Sequence, residues 1–275
     1  MSQANDTRVY FITGGASGIG LSVVNELLKR PGTKVAAADI NADALEAQAQ
    51  ANNWDRERVS LQKLDVSSWS NWQSAVQSTV ERFGRLDIMM NIAGVMIPGY
   101  LVDFEEKHVN LTLDINAKGV IFGTKAAALQ MQKQNGGHIV NVASIAGLTY
   151  NPGASLYCAS KHAVRGFSIS VASELKKFNT TITVVCPGAV RTPMYEQQKG
   201  QEEAALTFTT NLLEPEDITA VLVGEAIEKK PLQMVLPTSD GIKAKIASVF
   251  PGLVTKVIDK VVAEGVKKQQ SLKKS

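Results

Sequence analysis

The stretch "VYFITGGASGIGLSVV", residues 9–24, decides how the chain is read. Five apolar or β-favouring residues run into a glycine-rich turn, and a helix-forming run follows. Gly14, Gly18 and Gly20 leave out side chains where the chain turns tightly and where backbone must approach a ligand closely. A helix starting here presents its free N–H groups and the positive end of its dipole to an anion. A glycine turn alone is a weak signal, because a plain strand-to-helix turn uses the same residues. Its context, with a strand before and a helix after at the head of a βαβ unit, points to dinucleotide binding.

Outward from this turn, strand-like and helix-like segments alternate. "VYFIT", "KVAAAD", "VSLQKLDV", "LDIMMNIAG", "HIVNVAS", "TITVVCPG" and "LQMVLP" read as seven strands. Between them lie helical runs, including a long one expected over residues 109–134, one over 155–178, and "EPEDITAVLVGEAIEKK" with acids early and lysines late, as the helix dipole favours. Short apolar strands separated by helices imply parallel pairing with helices on both faces. The right-handed crossover rule then gives an α/β, Rossmann-type doubly wound sheet of about seven strands. Neither linker nor repeat is visible. The expectation is one dinucleotide-binding and catalytic domain over 1–240, with a substrate loop at 191–213 and a basic amphipathic extension at 241–275.

Composition narrows the function classes. Lys and Arg total 29 against 26 Asp and Glu, a net charge of +3 that is too balanced for a nucleic-acid binder. Cys158 and Cys186 exclude a disulfide scaffold, and both are expected to be buried. His108, His138 and His162 are scattered, so no metal is expected. The polar start "MSQANDTR" lacks the apolar core of a signal peptide, and no apolar run reaches membrane-span length. The expected location is cytoplasmic.

Asp39 ends the second strand, 19 residues past Gly20, near the spacing of about 20 for a ribose-binding acid. A carboxylate there accepts hydrogen bonds from the ribose hydroxyls and repels a 2′-phosphate. Ile40 follows it, and no Arg or Lys sits beside it or in the glycine loop. NAD is therefore expected over NADP.

Together, "TGGASGIG", Asp39, "LDV" at 64–66, "NIAG" at 91–94, Asn116 in "DINAKG", Ser144 in "VNVASIAG", "YCASK" at 157–161 and "CPGAVRTPM" resemble the short-chain dehydrogenase/reductase family, in its order, over about residues 8–236. The resemblance implies a cofactor cradle of Gly14, Ser17, Gly18, Ile19 and Gly20, with Asp39 and Ile40 at the ribose. Asp65 and Val66 should meet the adenine. Asn91, Ala93 and Gly94 should line the adenosine side. Pro187, Gly188, Val190 and Thr192 should border the nicotinamide. It also implies a catalytic set of Asn116, Ser144, Tyr157 and Lys161. Tyr157 and Lys161 are i and i+4 on one helix face. The lysine charge and the cationic nicotinamide should pull the tyrosine pKa down from about 10. Ser144 should hold the substrate oxygen, and Asn116 a water leading to Lys161. Cys158 and His162 lie on other faces. One departure is Ile92, where the family usually has Asn, which puts local bracing in doubt.

The implied activity is NAD-dependent interconversion of a secondary alcohol and a ketone. The alternative is an NAD-binding sensor or scaffold without turnover; a serine hydrolase lacks its nucleophile elbow. Met96, Ile97, Leu148, Tyr150, Met194, Tyr195, Leu206 and Phe208 in three loops suggest an apolar or aromatic substrate. A homodimer or homotetramer is expected, although the end lacks the family's glycine-rich tetramer segment. Ile246, Val249, Phe250 and Leu253 fit one face of the tail, and Val254, Val257, Ile258, Val261 and Val262 a second. These faces suit packing on the body, a subunit interface, or an anionic membrane surface.

Overall fold

The computed structural model describes residues 7–272; the first six and last three residues lie outside it, as do the side chains of residues 253–255 and 272. Leu253 and Val254 are thus not among the described side chains. The strands are β1 (Arg8–Thr13), β2 (Thr33–Asp39), β3 (Val59–Lys63), β4 (Ile88–Asn91), β5 (Gly137–Val142), β6 (Thr180–Pro187) and β7 (Gln233–Leu236). They form one sheet in the order β3-β2-β1-β4-β5-β6-β7, with every pair parallel. The helices are α1 (Gly18–Leu28), α2 (Ala42–Ala51), α3 (Trp69–Phe83), α4 (Glu106–Leu113), α5 (Gly119–Lys133), α6 (Ser155–Leu175), α7 (Pro193–Gln197), α8 (Pro215–Val223), α9 (Glu225–Glu228), α10 (Thr238–Val249) and α11 (Pro251–Leu272).

The strands are apolar on both faces because both faces are covered. Successive residues of β1 alternate between two cores. Tyr10 and Ile12 pack with Val23, Leu27, Ile218 and Leu222 of α1 and α8. Phe11, pointing the other way, packs with Trp72 of α3 and with Ala127 and Met131 of α5. Chain order reverses between β1 and β4, so their following loops diverge and open a crevice at the carboxyl ends of the strands.

The helix expected over residues 109–134 is broken. It begins three residues earlier, as α4, and passes through a π-turn at Asp114–Lys118 before continuing as α5. Within that turn the Gly119 N–H reaches back five residues to the Asp114 carbonyl. The extra residue re-aims the side chains around it, as π-bulges at functional sites do. The run expected as one helix after Glu214 is split at Gly224 into α8 and α9, and the residues after Leu175 tighten into a 3₁₀ turn, Lys176–Phe178.

Trp72 pins α3 to the sheet. Its ring lies 5.6 Å from that of Phe11, and its Nε1 donates to the Val66 carbonyl at 2.9 Å. Gly123 of α5 lets that helix close on the ring. A Cβ there would stand 2.7 Å from Trp72 and 2.1 Å from the Asn91 Oδ1. Alanine at a helix-interior glycine ordinarily stabilises by about 1 kcal/mol. Gly123→Ala should instead destabilise by about 1–3 kcal/mol through overpacking. Urea unfolding measures the sign; a stabilised variant would show that α5 can move away at no cost.

Candidate active site

The crevice is a cleft of about 530 Å³ above the carboxyl ends of β1, β4, β5 and β6. At one end lies the glycine turn. Gly14 has φ +74°, in the left-handed region, and a Cβ on Gly20 would stand 2.1 Å from the Gly14 carbonyl oxygen. Ser17, the N-cap of α1, makes no side-chain capping bond, and no acid lies in the first turn. The first-turn N–H groups and the dipole therefore have no internal anion. These residues fit a pyrophosphate.

Asp39 closes the loop from the side. Its Oδ2 accepts from the Ala16 N–H at 3.1 Å and its Oδ1 from the Asn41 N–H at 3.0 Å. An ionised carboxylate has about four acceptor sites, so two remain for a ribose diol. Thr13, at the end of β1, holds the facing segment: its Oγ1 accepts from the N–H groups of both Ile92 and Ala93, at 2.9 and 3.0 Å. This bracing, together with the packing of Ile92 on the first core, supplies what the departure from the usual Asn put in doubt.

At the other end, the i,i+4 spacing on α6 brings Tyr157 and Lys161 to the cleft. The Ser144 hydroxyl is near enough to the Tyr157 hydroxyl to favour its ionised form. Ser144 Oγ donates to the Pro187 carbonyl at 3.3 Å and accepts from the Ala146 N–H at 3.1 Å. Lys161 is only 3% exposed. Its Nζ donates to the Val142 carbonyl at 3.1 Å and lies 5.5 Å from the centre of the Tyr157 ring.

The expected lowering of the Tyr157 pKa belongs to the site loaded with cofactor; the protein's own groups set the starting point. Burial pushes the Tyr157 hydroxyl up to about 12, opposed by the nearby Ser144 hydroxyl. Burial also lowers Lys161 to about 8. In the protein's own field the tyrosine is an acid, and the lysine stays mostly charged at pH 7. The ammonium lies beside the ring and makes no bond to the hydroxyl, so burial outweighs the expected charge effect.

Asn116 sits in the π-turn, fully buried. Its Oδ1 accepts from the Val95 N–H and its Nδ2 donates to the Val95 carbonyl, both at 2.8 Å; Nδ2 also donates to Ser160 Oγ at 3.0 Å. These partners use both Nδ2 hydrogens and one of the two acceptor sites of Oδ1.

Of the other expected cofactor residues, Gly18, Ile19, Ala93, Gly94, Pro187, Gly188, Val190 and Thr192 line the cleft. Five with expected adenosine roles, Asp39 among them, lie outside that lining. Ile40 is 59% exposed beside it. Asp65 uses its Oδ1 within its own turn, accepting from the Ser67 N–H and hydroxyl at 2.9 and 2.7 Å. Val66 packs into the second core and gives its carbonyl to Trp72. Asn91 turns away into the core, where its Nδ2 donates to the Asn141 Oδ1 at 2.8 Å. A residue ending a strand points to one face or the other, and Asn91 takes the core side.

The substrate end divides the loop residues. Met96, Ile97, Met194, Tyr195 and Leu206 line the cleft, joined by Leu111 from α4. Leu148 and Phe208 are core residues. Tyr150 stacks on His162, ring centres 5.9 Å apart, away from the cleft lining. Cys158 and Cys186 are buried.

The loop at 191–213 is a flap of α7 and a 3₁₀ segment, Glu202–Thr209. The tail covers it, a contact the sequence reading did not anticipate in this form. Gly265 of α11 lies against the flap backbone: a Cβ there would stand 2.2 Å from the Ala205 carbonyl oxygen. The buried Gln269 donates from Nε2 to the Gln201 carbonyl at 3.0 Å and the Gln198 carbonyl at 3.4 Å. A glycine inside a helical run was the available signal.

Residues 8–203 match the short chain dehydrogenase family. The chain belongs to that family. Among its relatives, the cyclopentanol dehydrogenase of Comamonas testosteroni is 36% identical over 72% of this chain and 78% of its own. The sorbitol-6-phosphate 2-dehydrogenase of Klebsiella pneumoniae is 36% identical over 74% and 76%. A short-chain dehydrogenase/reductase from Burkholderia phymatum, solved in complex with NAD, superposes with a TM-score of 0.81 at 25% identity, covering 92% of this chain and 96% of that one. As a short-chain dehydrogenase, this protein is an oxidoreductase of alcohols and ketones. Among the described residues, no helix is long and apolar enough to cross a membrane and no cluster of metal-ligating side chains occurs.

Two outcomes follow from this geometry. Lys161→Met should raise stability at pH 7 by about 2–3 kcal/mol, since a lysine lowered from 10.5 to about 8 carries a desolvation cost. The unfolded chain binds the extra proton between those values, so wild-type stability rises with pH there and the advantage of the variant shrinks. Urea melts from pH 7 to 10.5 test this; a pH-independent difference would contradict it. Gln269→Ala should free two flap carbonyls at a cost of about 1–3 kcal/mol. Limited proteolysis should then cut within residues 196–212 faster than in wild type.

Proposed function

We propose that this chain is an NAD-dependent dehydrogenase/reductase of apolar secondary alcohols and ketones. The observation that carries the reading is that Ser144, Tyr157 and the buried Lys161 line the same cleft as the uncapped glycine turn.

The first turn of α1 would bind the pyrophosphate, and the free acceptor sites of Asp39 the adenosine ribose. A 2′-phosphate at that carboxylate would meet like charge, which supports NAD over NADP. The Burkholderia relative's complex with NAD supports the same choice. When bound, the nicotinamide supplies the site that accepts or gives the hydride. Ser144 Oγ would donate to the substrate oxygen and fix its position. Tyr157 would give its proton to that oxygen in reduction, the direction its raised pKa favours. In oxidation it would take the alcohol proton, which requires extra positive charge in the cleft besides Lys161. Lys161 holds its ammonium at the floor through Val142 and replenishes charge beside the tyrosine. Asn116 is a positioning residue: it fixes Val95 and, through Ser160, the helix that carries the pair.

For the substrate, Lys161 is the only charged side chain lining the cleft among the described residues. Met96, Ile97, Leu111, Met194, Tyr195 and Leu206 surround the far end. An alcohol such as cyclopentanol, the substrate in the Comamonas relative's name, suits that lining better than a sugar phosphate does.

A panel of alicyclic and steroid alcohols against polyols, with NAD and NADP, tests the reading beside two variants. Tyr157→Phe should lower kcat by at least about 10²–10⁴-fold while NAD still quenches protein fluorescence. Asp39→Ser should narrow the preference for NAD over NADP. Turnover surviving in Tyr157→Phe overturns the mechanism. Turnover of polyols alone overturns the substrate class.

A further inference from the structure

The helix α10 buries one side and leaves an apolar stripe on the other. Gly241 and Ala244 are buried, and a Cβ at Gly241 would stand 2.6 Å from the Val235 side chain of β7. On the opposite side Ile242, Ile246, Val249 and Phe250 are 56, 57, 67 and 55% exposed. Their spacing, i, i+4, i+7 and i+8, puts them on one face at about 100° per residue. Lys245 borders that face on one side and Lys243 on the other, both exposed. An apolar face edged by lysines, whose long stems reach outward, is the pattern of a helix lying in a lipid interface.

Charge selects the occupant. Residues 241–275 hold eight lysines against two acids, whereas residues 1–240 hold 21 Lys and Arg against 24 Asp and Glu. By sequence, residues 241–275 are thus basic and the rest acidic, and Lys243 and Lys245 flank the stripe itself. A second copy pairing through this face about a two-fold axis would set the lysines against themselves. The one carboxylate on α10, Asp240, is buried under its ion pair with Lys243, Nζ to Oδ1 at 3.1 Å. Lys256 and Lys260 of α11 are also exposed.

We propose that α10 docks this protein peripherally on an anionic lipid surface. Ile242, Ile246, Val249 and Phe250 enter the boundary between headgroups and acyl chains, and Lys243 and Lys245 meet the phosphates. None of these side chains lines the cleft, so docking and turnover are separable.

The test is sedimentation of the full chain with phosphatidylcholine vesicles, with and without phosphatidylserine as a quarter of the lipid. Wild type should bind the anionic vesicles at low salt, leave them at high salt, and ignore pure phosphatidylcholine. Lys245→Ala with Lys256→Ala should weaken binding by about fivefold for each lysine removed. Ile246→Gln with Phe250→Gln should abolish it. Both variants should keep wild-type dehydrogenase activity, which shows that they fold. The proposal is overturned if wild type does not sediment, if pure phosphatidylcholine binds it equally, or if neither double variant binds less tightly. It is also overturned if Ile246→Gln with Phe250→Gln splits a larger assembly on size exclusion, which would assign the face to a second copy.

Discussion

The side chain of Asn116 grips the Val95 peptide from both sides, taking its N–H and giving to its carbonyl. Three parts of the structure meet in that clamp. The π-turn aims the amide, the segment leaving β4 receives it, and Ser160 ties it to α6. Without a fixed Val95 the wall opposite the glycine turn has no defined position. Without the link to Ser160, α6 loses one of its buried polar ties beside Tyr157 and Lys161. Both polar atoms of the amide find partners within the protein, which is the condition under which a buried polar group rigidifies its surroundings.

The cost of the site is concentrated in Lys161. A cation with one carbonyl partner in the floor of an apolar sheet opposes folding, and the surrounding packing must offset it. Sheet, α1, α3, α5 and α8 supply that packing through two cores divided by the pleat. Tyr157 shares the penalty in the opposite sense, since burial holds its proton on. The pair is thus biased by its surroundings toward charged lysine and neutral tyrosine, and any base function depends on positive charge brought in by what binds.

Much of this was readable in the sequence. Apolar runs at 9–13, 35–38 and 182–186 could only be strands covered on both faces, and the glycine turn fixed where the crevice would open. Tyr157 and Lys161 were legible because their i,i+4 pair falls, with the glycine turn, Asp39, Asn116 and Ser144, in an ordered set of motifs that resembles the family's. Alone, the pair reads as two polar side chains on a helix surface. The π-turn was not legible: one extra residue in a helix leaves no mark in hydrophobic period, so Asn116, though in the implied catalytic set, read as lying inside one regular helix. The inward turn of the Asn91 side chain was hidden for a related reason, since strand alternation is known only to within one residue at a strand's end. Leu148 and Phe208 read the same as Met96 and Met194, because burial in a core and lining of a cleft both select apolar side chains. The pKa values turned on burial depth, which no local pattern reports.

The contact between Gly265 and the Ala205 carbonyl leaves no room for a side chain at position 265, where tail meets flap. Flap and tail are thus one surface split across 60 residues of chain. Exchanging the flap for that of a relative, the ordinary route to a new substrate in a loop-built site, would set a foreign backbone under a helix shaped for this one. The transferable unit for redesign is the pair of segments, carried together or not at all.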